Sequence, residues 1–415
     1  MDYAIKNIQN DLLKEHLLYC KNNSPFYKKV LSKIDSSKIS LGNLKDLPFT
    51  EKSDIETFNG DFLAVSEDKI VDIVLSSGTT GKPTKIMLTQ RDLKRLAYNE
   101  EEALKIAGIS SKDSVLLTCT MDRCFIAGLA YFLGLRNIGA SVIRNGVATT
   151  DSHVEIIKSM KPTVIIGVPT FLKKLGLYLI DMGIKPKTKK LICIGEPLRD
   201  KNLTPYDMTE ELEEIWKAKT YSTYASTEIA TAFCECEEQK GGHLLPDLAV
   251  VEIVDDQGNL LPYGELGEVV ITPLAVEGMP LIRFKTGDIS FLIDEPCLCG
   301  RNSVRLGPII GRKNQMMKVK GTTLYPQAIF SVLEEMDQVL DYFIEVTKES
   351  ELSDKVQLFV SFNENANHDA VETVSDRLKA RLRVKLQIQI IDKEKLISKV
   401  YQTKSRKPKR FFDKR

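Results

Sequence analysis

The apolar positions of this chain change their period several times, and each change marks a new kind of element. Over residues 3–34 they recur at helical spacing, which predicts an N-terminal helical segment. From about residue 70, short apolar runs alternate with amphipathic stretches. Residues 70–75, 86–89, 115–119, 141–143, 163–168 and 190–194 read as strands, and 91–107, 126–137, 152–161 and 170–182 as helices. Alternation of this kind predicts parallel strands covered by helices on both faces. Between about 249 and 293 the texture shifts to short strands divided by Gly turns, which predicts an antiparallel, barrel-like subdomain. After Gly311-Arg312 an α+β unit is expected, with strands near 316–320, 342–347, 356–362 and 386–391 and helices near 326–336 and 367–384.

Composition narrows the class without naming a function. At 415 residues the chain is too long for one ordinary core, so two or three domains are expected. With 43% hydrophobic and 28% charged residues it reads as a soluble globular protein. A net charge of +1 supplies no global attraction to nucleic acid or membrane. The longest apolar run, 124–135, is too short to span a bilayer and is bracketed by Arg123 and Arg136. The polar N-terminus lacks a signal-peptide core, so a cytoplasmic protein is expected. In a reducing compartment the eight Cys are thiols or metal ligands. Cys20, Cys119, Cys124 and Cys193 sit among apolar residues and are expected to be buried small hydrophobes.

The chemistry concentrates first in Ser76-Ser77-Gly78-Thr79-Thr80-Gly81-Lys82-Pro83-Thr84-Lys85. Glycines permit close approach of backbone to a ligand, and N–H groups, hydroxyls and an ammonium can then surround phosphate oxygens. The Walker loop is excluded. That motif places four residues between its glycines and a helix after its Lys. Here Thr79 and Thr80 alone separate Gly78 from Gly81, and Pro83 follows Lys82. The expectation is a phosphate loop between two strands. A second cluster is Cys236 and His243 with Cys297-Leu298-Cys299, a Cys₃His set suited to tetrahedral structural Zn²⁺, with Cys234 as an alternative ligand.

The 76–85 segment resembles the signature of the adenylate-forming superfamily, which includes acyl-CoA synthetases. Further segments carry the resemblance in the same order. Tyr221-Ser222-Thr223-Tyr224-Ala225-Ser226-Thr227-Glu228 resembles the family's Tyr-Gly-x-Thr-Glu segment, with Ala225 where Gly is usual. Arg283-Phe284-Lys285-Thr286-Gly287-Asp288 resembles its Thr-Gly-Asp segment, and Gly311-Arg312-Lys313-Asn314 its hinge. The tail Lys404-Ser405-Arg406-Lys407-Pro408-Lys409-Arg410 resembles its closing Gly-Lys, with Arg406 in place of Gly. Cys-x-Cys-Gly-Arg ahead of the hinge is similar to the phenylacetate–CoA ligase branch, some members of which carry zinc there.

The resemblance implies roles. Ser76, Ser77, Gly78, Thr79, Thr80, Gly81 and Lys82 hold ATP phosphates. Gly195, Glu196 and Pro197, at the end of a predicted strand, wall the purine or substrate. Tyr224 stacks on adenine beside Ala225 and Ser226, Thr227 faces the α-phosphate, and Glu228 holds Mg²⁺. Asp288 and Arg312 take the ribose, and Gly321 lines the thiol channel. Lys407 is the catalytic lysine, with Lys404 and Lys409 as competitors. The acyl pocket is expected from residues 121–126, 168–171 and 221–225. The implied fold is α/β: a large domain, 1–312, of two βα-layered sheets and a barrel-like subdomain, then a small mobile α+β domain, 313–415. The implied reaction is ATP-dependent adenylation of a small carboxylic acid, followed by acyl transfer to a thiol, coenzyme A first. A phosphopantetheine-bearing acyl carrier protein is the alternative acceptor, and a nucleotide-binding homologue without ligase activity the third reading. A homodimer is the default assembly.

Overall fold

A computed structural model describes residues 3–76, 84–319, 322–350, 353–363, 366, 369–401 and 408–415. The chain separates into two compact units. The first comprises residues 1–205, 209–286 and 290–309, and the second residues 206–208, 287–289 and 310–415.

The first unit is built on a nine-stranded mixed sheet. Its spatial order is Leu292–Ile293, Arg305–Leu306, Gly242–His243, Thr231–Glu235, Lys219–Ser226, Lys190–Ile194, Val164–Gly167, Ser114–Leu117, Ser141–Arg144. The five strands from Lys219–Ser226 to Ser141–Arg144 are parallel, and four of them are those the βα alternation predicted; Lys219–Ser226 is added to them. The apolar runs of the three central ones, Ser114–Leu117, Val164–Gly167 and Lys190–Ile194, are buried on both faces, because helices cover each side. Those helices include Gln90–Ile106, Ile126–Ile138, Thr150–Met160 and Pro169–Asp181. Gln90–Ile106 opens with a reciprocal Thr89–Asp92 capping box, and Ile126–Ile138 closes on Gly139 at φ 82°, where a Cβ would be strained.

From Lys219–Ser226 outward the same sheet continues antiparallel, through strands of as few as two residues. So the α/β class stands, and the five parallel strands of the first unit lie in one sheet. The region after 249 does form an antiparallel sheet, in which Ala249–Val254 pairs with Gly267–Pro273. The N-terminal helical segment is Tyr3–Asn23 and Pro25–Val30, divided at Ser24, which caps the second helix ahead of its proline. Helix Asp207–Trp216 has no counterpart among the sequence expectations.

In the second unit a four-stranded sheet runs in the order Gln387–Ile390, Ser353–Phe362, Val339–Ser350, Phe411–Asp413. Helices Pro326–Glu334 and Ala370–Leu382 pack on it through Ile329, Val332, Val374 and Leu378. These elements match the predicted pattern. The parallel edge strand Phe411–Asp413 and helix Lys393–Val400 were not foreseen. Among the described residues no helix is long and apolar enough to cross a membrane.

Candidate functional site

Ser76 and Thr84 form the foot of the candidate phosphate loop. Strands Ile70–Leu75 and Lys85–Thr89 are antiparallel, with Leu75 opposite Lys85. Ser76 N donates to Thr84 O at 2.9 Å, and Thr84 N donates to Ser76 Oγ at 3.2 Å. Both residues are buried. The loop therefore joins two strands and not a strand to a helix. Ser77, Gly78, Thr79, Thr80, Gly81 and Lys82 lie outside the described residues.

Tyr224 to Glu228 lie on a hairpin. Strand Lys219–Ser226 turns into Thr231–Glu235, with Tyr224 opposite Phe233, Ala225 opposite Ala232 and Ser226 opposite Thr231. The Tyr224 ring leans on Phe233 with centroids 5.9 Å apart. Ala225 is exposed, Thr227 is buried and Ile229 fully so. The Glu228 side chain is only 10% exposed, and Lys52 Nζ sits 3.2 Å from its Oε1. Lys52 belongs to helix Lys52–Thr57, and the sequence reading passed over it, because Glu51-Lys52-Ser53-Asp54 looks like an ordinary charged helix start. A mostly buried carboxylate that meets, among the described residues, the Lys52 ammonium at one oxygen has acceptor capacity left for a hard cation, so the donor chemistry of Glu228 fits Mg²⁺.

Strand Lys190–Ile194 ends at Gly195, whose φ is 77°. The next residue is committed to a helix start. Thr170 N and Oγ1 donate to the two Glu196 carboxylate oxygens at 3.0 and 2.8 Å, so Glu196 caps helix Pro169–Asp181. Among the expected pocket residues, Met121 packs against the core around Tyr131 and Tyr221, whereas Asp122 and Arg123 are exposed. Tyr221 is fully buried, with the Lys190 ammonium 5.2 Å above its ring. The expectation for Cys124 fails. Arg123 and Cys124 both adopt left-handed backbone, φ 57° and 54°, and this turns the thiol out to solvent. Cys124 O instead accepts a hydrogen bond from Leu75 N, the last residue of the strand entering the phosphate loop. Cys20, Cys119 and Cys193 are buried as expected.

The second unit pairs the next two residues. Asp288 faces Arg312 across adjacent strands, and Arg312 Nε lies 3.0 Å from Asp288 Oδ1. Asp288 is buried while Arg312 keeps part of its guanidinium exposed. Gly311 is required here, since a Cβ would sit 2.4 Å from the Tyr325 ring. Asn314 is exposed in the short helix Lys313–Gln315. Gly321, Lys404 and Lys407 lie outside the described residues. What leads out of the basic tail is anchored: Lys409 N donates to Val400 O, and Arg410 O accepts from Ile344 N at 2.8 Å. The Arg410 guanidinium lies 3.0 Å from Asp341 and 4.8 Å from the centre of the Tyr342 ring.

The thiol cluster gathers as its chemistry required. One ligand atom each from Cys236, His243, Cys297 and Cys299 lies within 4.8 Å of all the others. Cys236 Sγ is 3.6 Å from Cys297 Sγ, and Cys299 Sγ is 3.4 Å from His243 Nε2. Those separations match a tetrahedron with metal–sulfur bonds of about 2.3 Å. His243 Nδ1 meets Ser303 Oγ at 3.1 Å, which orients Nε2 toward the thiols. Burial, with Arg301 and Arg305 nearby, lowers His243 to about 4, so the imidazole is neutral and able to ligate. The donor set fits Zn²⁺. The alternative ligand Cys234 is buried in the sheet opposite Thr223 and is not part of the set.

Comparison with known proteins agrees with this geometry. The profile of the family described as AMP-binding enzyme matches residues 17–276, and that of the AMP-binding enzyme C-terminal domain matches 321–415. Phenylacetate-coenzyme A ligase of Thermus thermophilus is 30% identical over 372 residues, covering 87% of this chain and 82% of that one. The enzyme of the same name from Escherichia coli is 26% identical, over 91% and 88%. A solved 2-hydroxyisobutyryl-CoA ligase shares the fold at a TM-score of 0.85 and 23% identity, covering 100% of this chain and 91% of that one.

Proposed function

The chain belongs to the AMP-binding enzyme family, and from that membership we propose that it activates a small carboxylic acid as acyl-AMP and passes the acyl group to coenzyme A. In the first half-reaction a carboxylate oxygen attacks the α-phosphorus of ATP and pyrophosphate leaves. In the second a thiol attacks the acyl carbon and AMP leaves. The observation that carries the reading is that one family profile, over 17–276, spans both the pinned phosphate loop and the Tyr224–Glu228 hairpin.

Catalysis of this kind is positioning and charge stabilisation. Residues 1–312 form the adenylation domain and 313–415 the small domain that carries the catalytic lysine. Ser76 to Lys82 grip the leaving pyrophosphate, Tyr224 stacks on adenine beside Ala225 and Ser226, and Thr227 faces the α-phosphate. Gly195, Glu196 and Pro197 form the wall behind the nucleotide. Asp288 and Arg312 hold the ribose as the pair they form here. Lys407 stabilises charge at the α-phosphate, and Gly321 lines the thiol channel. Mg²⁺ at Glu228 supplies charge neutralisation for the triphosphate. Zn²⁺ on Cys236, His243, Cys297 and Cys299 supplies a covalent-strength clip between two distant loops. We read the enzyme as cytoplasmic, where ATP and coenzyme A are both at hand.

The test is pyrophosphate release from ATP with a panel of aryl and alkyl acids headed by phenylacetate, the acid for which the curated relatives are named. Release with one class of acid, and AMP formation accelerated by coenzyme A, support the proposal. Acceleration by a carrier protein alone reassigns the acceptor, and no release with any acid leaves a nucleotide-binding protein. Metal analysis of the gently purified chain is expected to find about one zinc; none removes the clip.

A further inference from the structure

We infer that Arg95 is a positioning residue that fixes the turn carrying Glu228, acting through a buried polar face of helix Gln90–Ile106. The inference rests on the nucleotide-binding reading of that turn.

Asp92, Arg95 and Asn99 recur at i, i+3 and i+7, which places them on one face of the helix. A polar face buried in a core is unusual, and all three side chains are buried. Each holds backbone from a different segment. Asp92 accepts from Thr89 N at 3.0 Å, Glu277 N at 2.7 Å and Gly278 N at 2.8 Å. Asn99 Oδ1 accepts from Ala232 N at 3.1 Å. Arg95 donates to Leu274 O, Ala230 O, Thr231 Oγ1 and Leu248 O at 2.6, 2.7, 3.1 and 2.6 Å.

All four hydrogen-bond partners of Arg95 are neutral oxygens, and the Asp92 and Asp247 carboxylates act on it only at longer range; its planar fork is used as a jig for neutral oxygens. The oxygens include both residues that follow Ile229 in the turn. Ala230 holds left-handed backbone at φ 43°, which an L-residue keeps only when its surroundings impose it. Its N–H donates to Ser226 O, so the turn closes around Thr227 and Glu228. Arg95 pins the carbonyl of this strained residue, and Thr231 Oγ1, besides accepting from Arg95, donates to Ile229 O at 3.0 Å. The same helix begins at Thr89, the end of the strand that leaves the phosphate loop. One rigid rod thus ties the exit of that loop to the turn bearing Glu228.

The experiment compares the full chain with Arg95→Lys, which keeps the charge and loses the fork, and Thr231→Val, which removes one hydroxyl. Pyrophosphate release is followed against Mg²⁺ and against the acid, with thermal unfolding alongside. Arg95→Lys is expected to lower kcat about 10–100-fold and to raise the Mg²⁺ needed for half-saturation several-fold, with KM for the acid within about twofold. Thr231→Val is expected to move the same two quantities by a few fold. Folded variants with the parent's kcat and Mg²⁺ titration overturn the inference. So does a loss of activity that only tracks the folded fraction. If the parent adenylates no acid, the proposed function fails separately, and calorimetric titration of Mg·ATP into parent and Arg95→Lys decides the inference: equal affinity overturns it, weakened affinity supports it.

Discussion

Two loops rich in hydroxyls and lysines carry the proposed chemistry, and their feet are built differently. The phosphate loop in the first unit stands on neutral hydrogen bonds between buried Ser76 and Thr84, within an antiparallel strand pair. The basic tail in the second unit stands on two backbone bonds, Lys409 N to Val400 O and Ile344 N to Arg410 O, and on an ion pair backed by an aromatic ring, Arg410 with Asp341 and Tyr342. A neutral buried foot is indifferent to salt. An ionic foot whose Arg410 and Asp341 side chains are 23% and 10% exposed is partly screened by it. In the proposed reaction the first foot serves the phosphate cradle and the second the catalytic lysine.

The largest effect should come from the charge itself. Lys407→Ala is expected to slow acyl-AMP formation by about 10²–10³-fold while thioester formation from supplied acyl-AMP persists. Lys404→Ala should stay within a few fold, and the reverse result moves the catalytic role to Lys404. Next, Arg410→Ala should cost about tenfold or more in adenylation through a misplaced tail, with Asp341→Asn following in the same direction. Activity of the parent should decline with NaCl and that of Arg410→Ala much less. Equal salt sensitivity breaks the comparison. The smallest effect is Ser76→Ala, which removes the acceptor for Thr84 N at a cost of about 1 kcal/mol, read as a few-fold rise in KM for ATP independent of salt. A loss as large as that of Arg410→Ala would show the first foot to be no sturdier than the second.

Much of this architecture was legible in the chain because apolar period reports burial. Four of the five parallel strands announce themselves by short apolar runs, whereas Lys219–Ser226 and the helix before it do not. The antiparallel half of the sheet does not, since strands such as Gly242–His243 and Arg305–Leu306 are too short to have a period. The thiol cluster was legible from ligand chemistry alone. Lys52 and Arg95 were not, because their partners are remote in sequence, and a lysine at a helix start or an arginine within a helix reads as solvated. Cys124 misled because its neighbours are apolar; only its left-handed backbone turns it outward.

Glu100, next to Asn99 on the rod that holds the turn, has a consequence of its own. It is buried in the core with one side-chain hydrogen bond, from Asn99 Nδ2 at 3.2 Å, and burial raises its carboxyl to about 8. In the unfolded chain it ionises near its ordinary value of 4.5. Between those values the unfolded chain releases a proton that the folded one retains, so stability falls as pH rises from about 4.5, and the loss is complete just above pH 8. Burial of this one carboxyl thereby gives the fold a pH dependence on the order of 5 kcal/mol between acid and mildly alkaline solution. Glu100→Gln should abolish it, giving an unfolding midpoint in urea that no longer falls from pH 5 to pH 9.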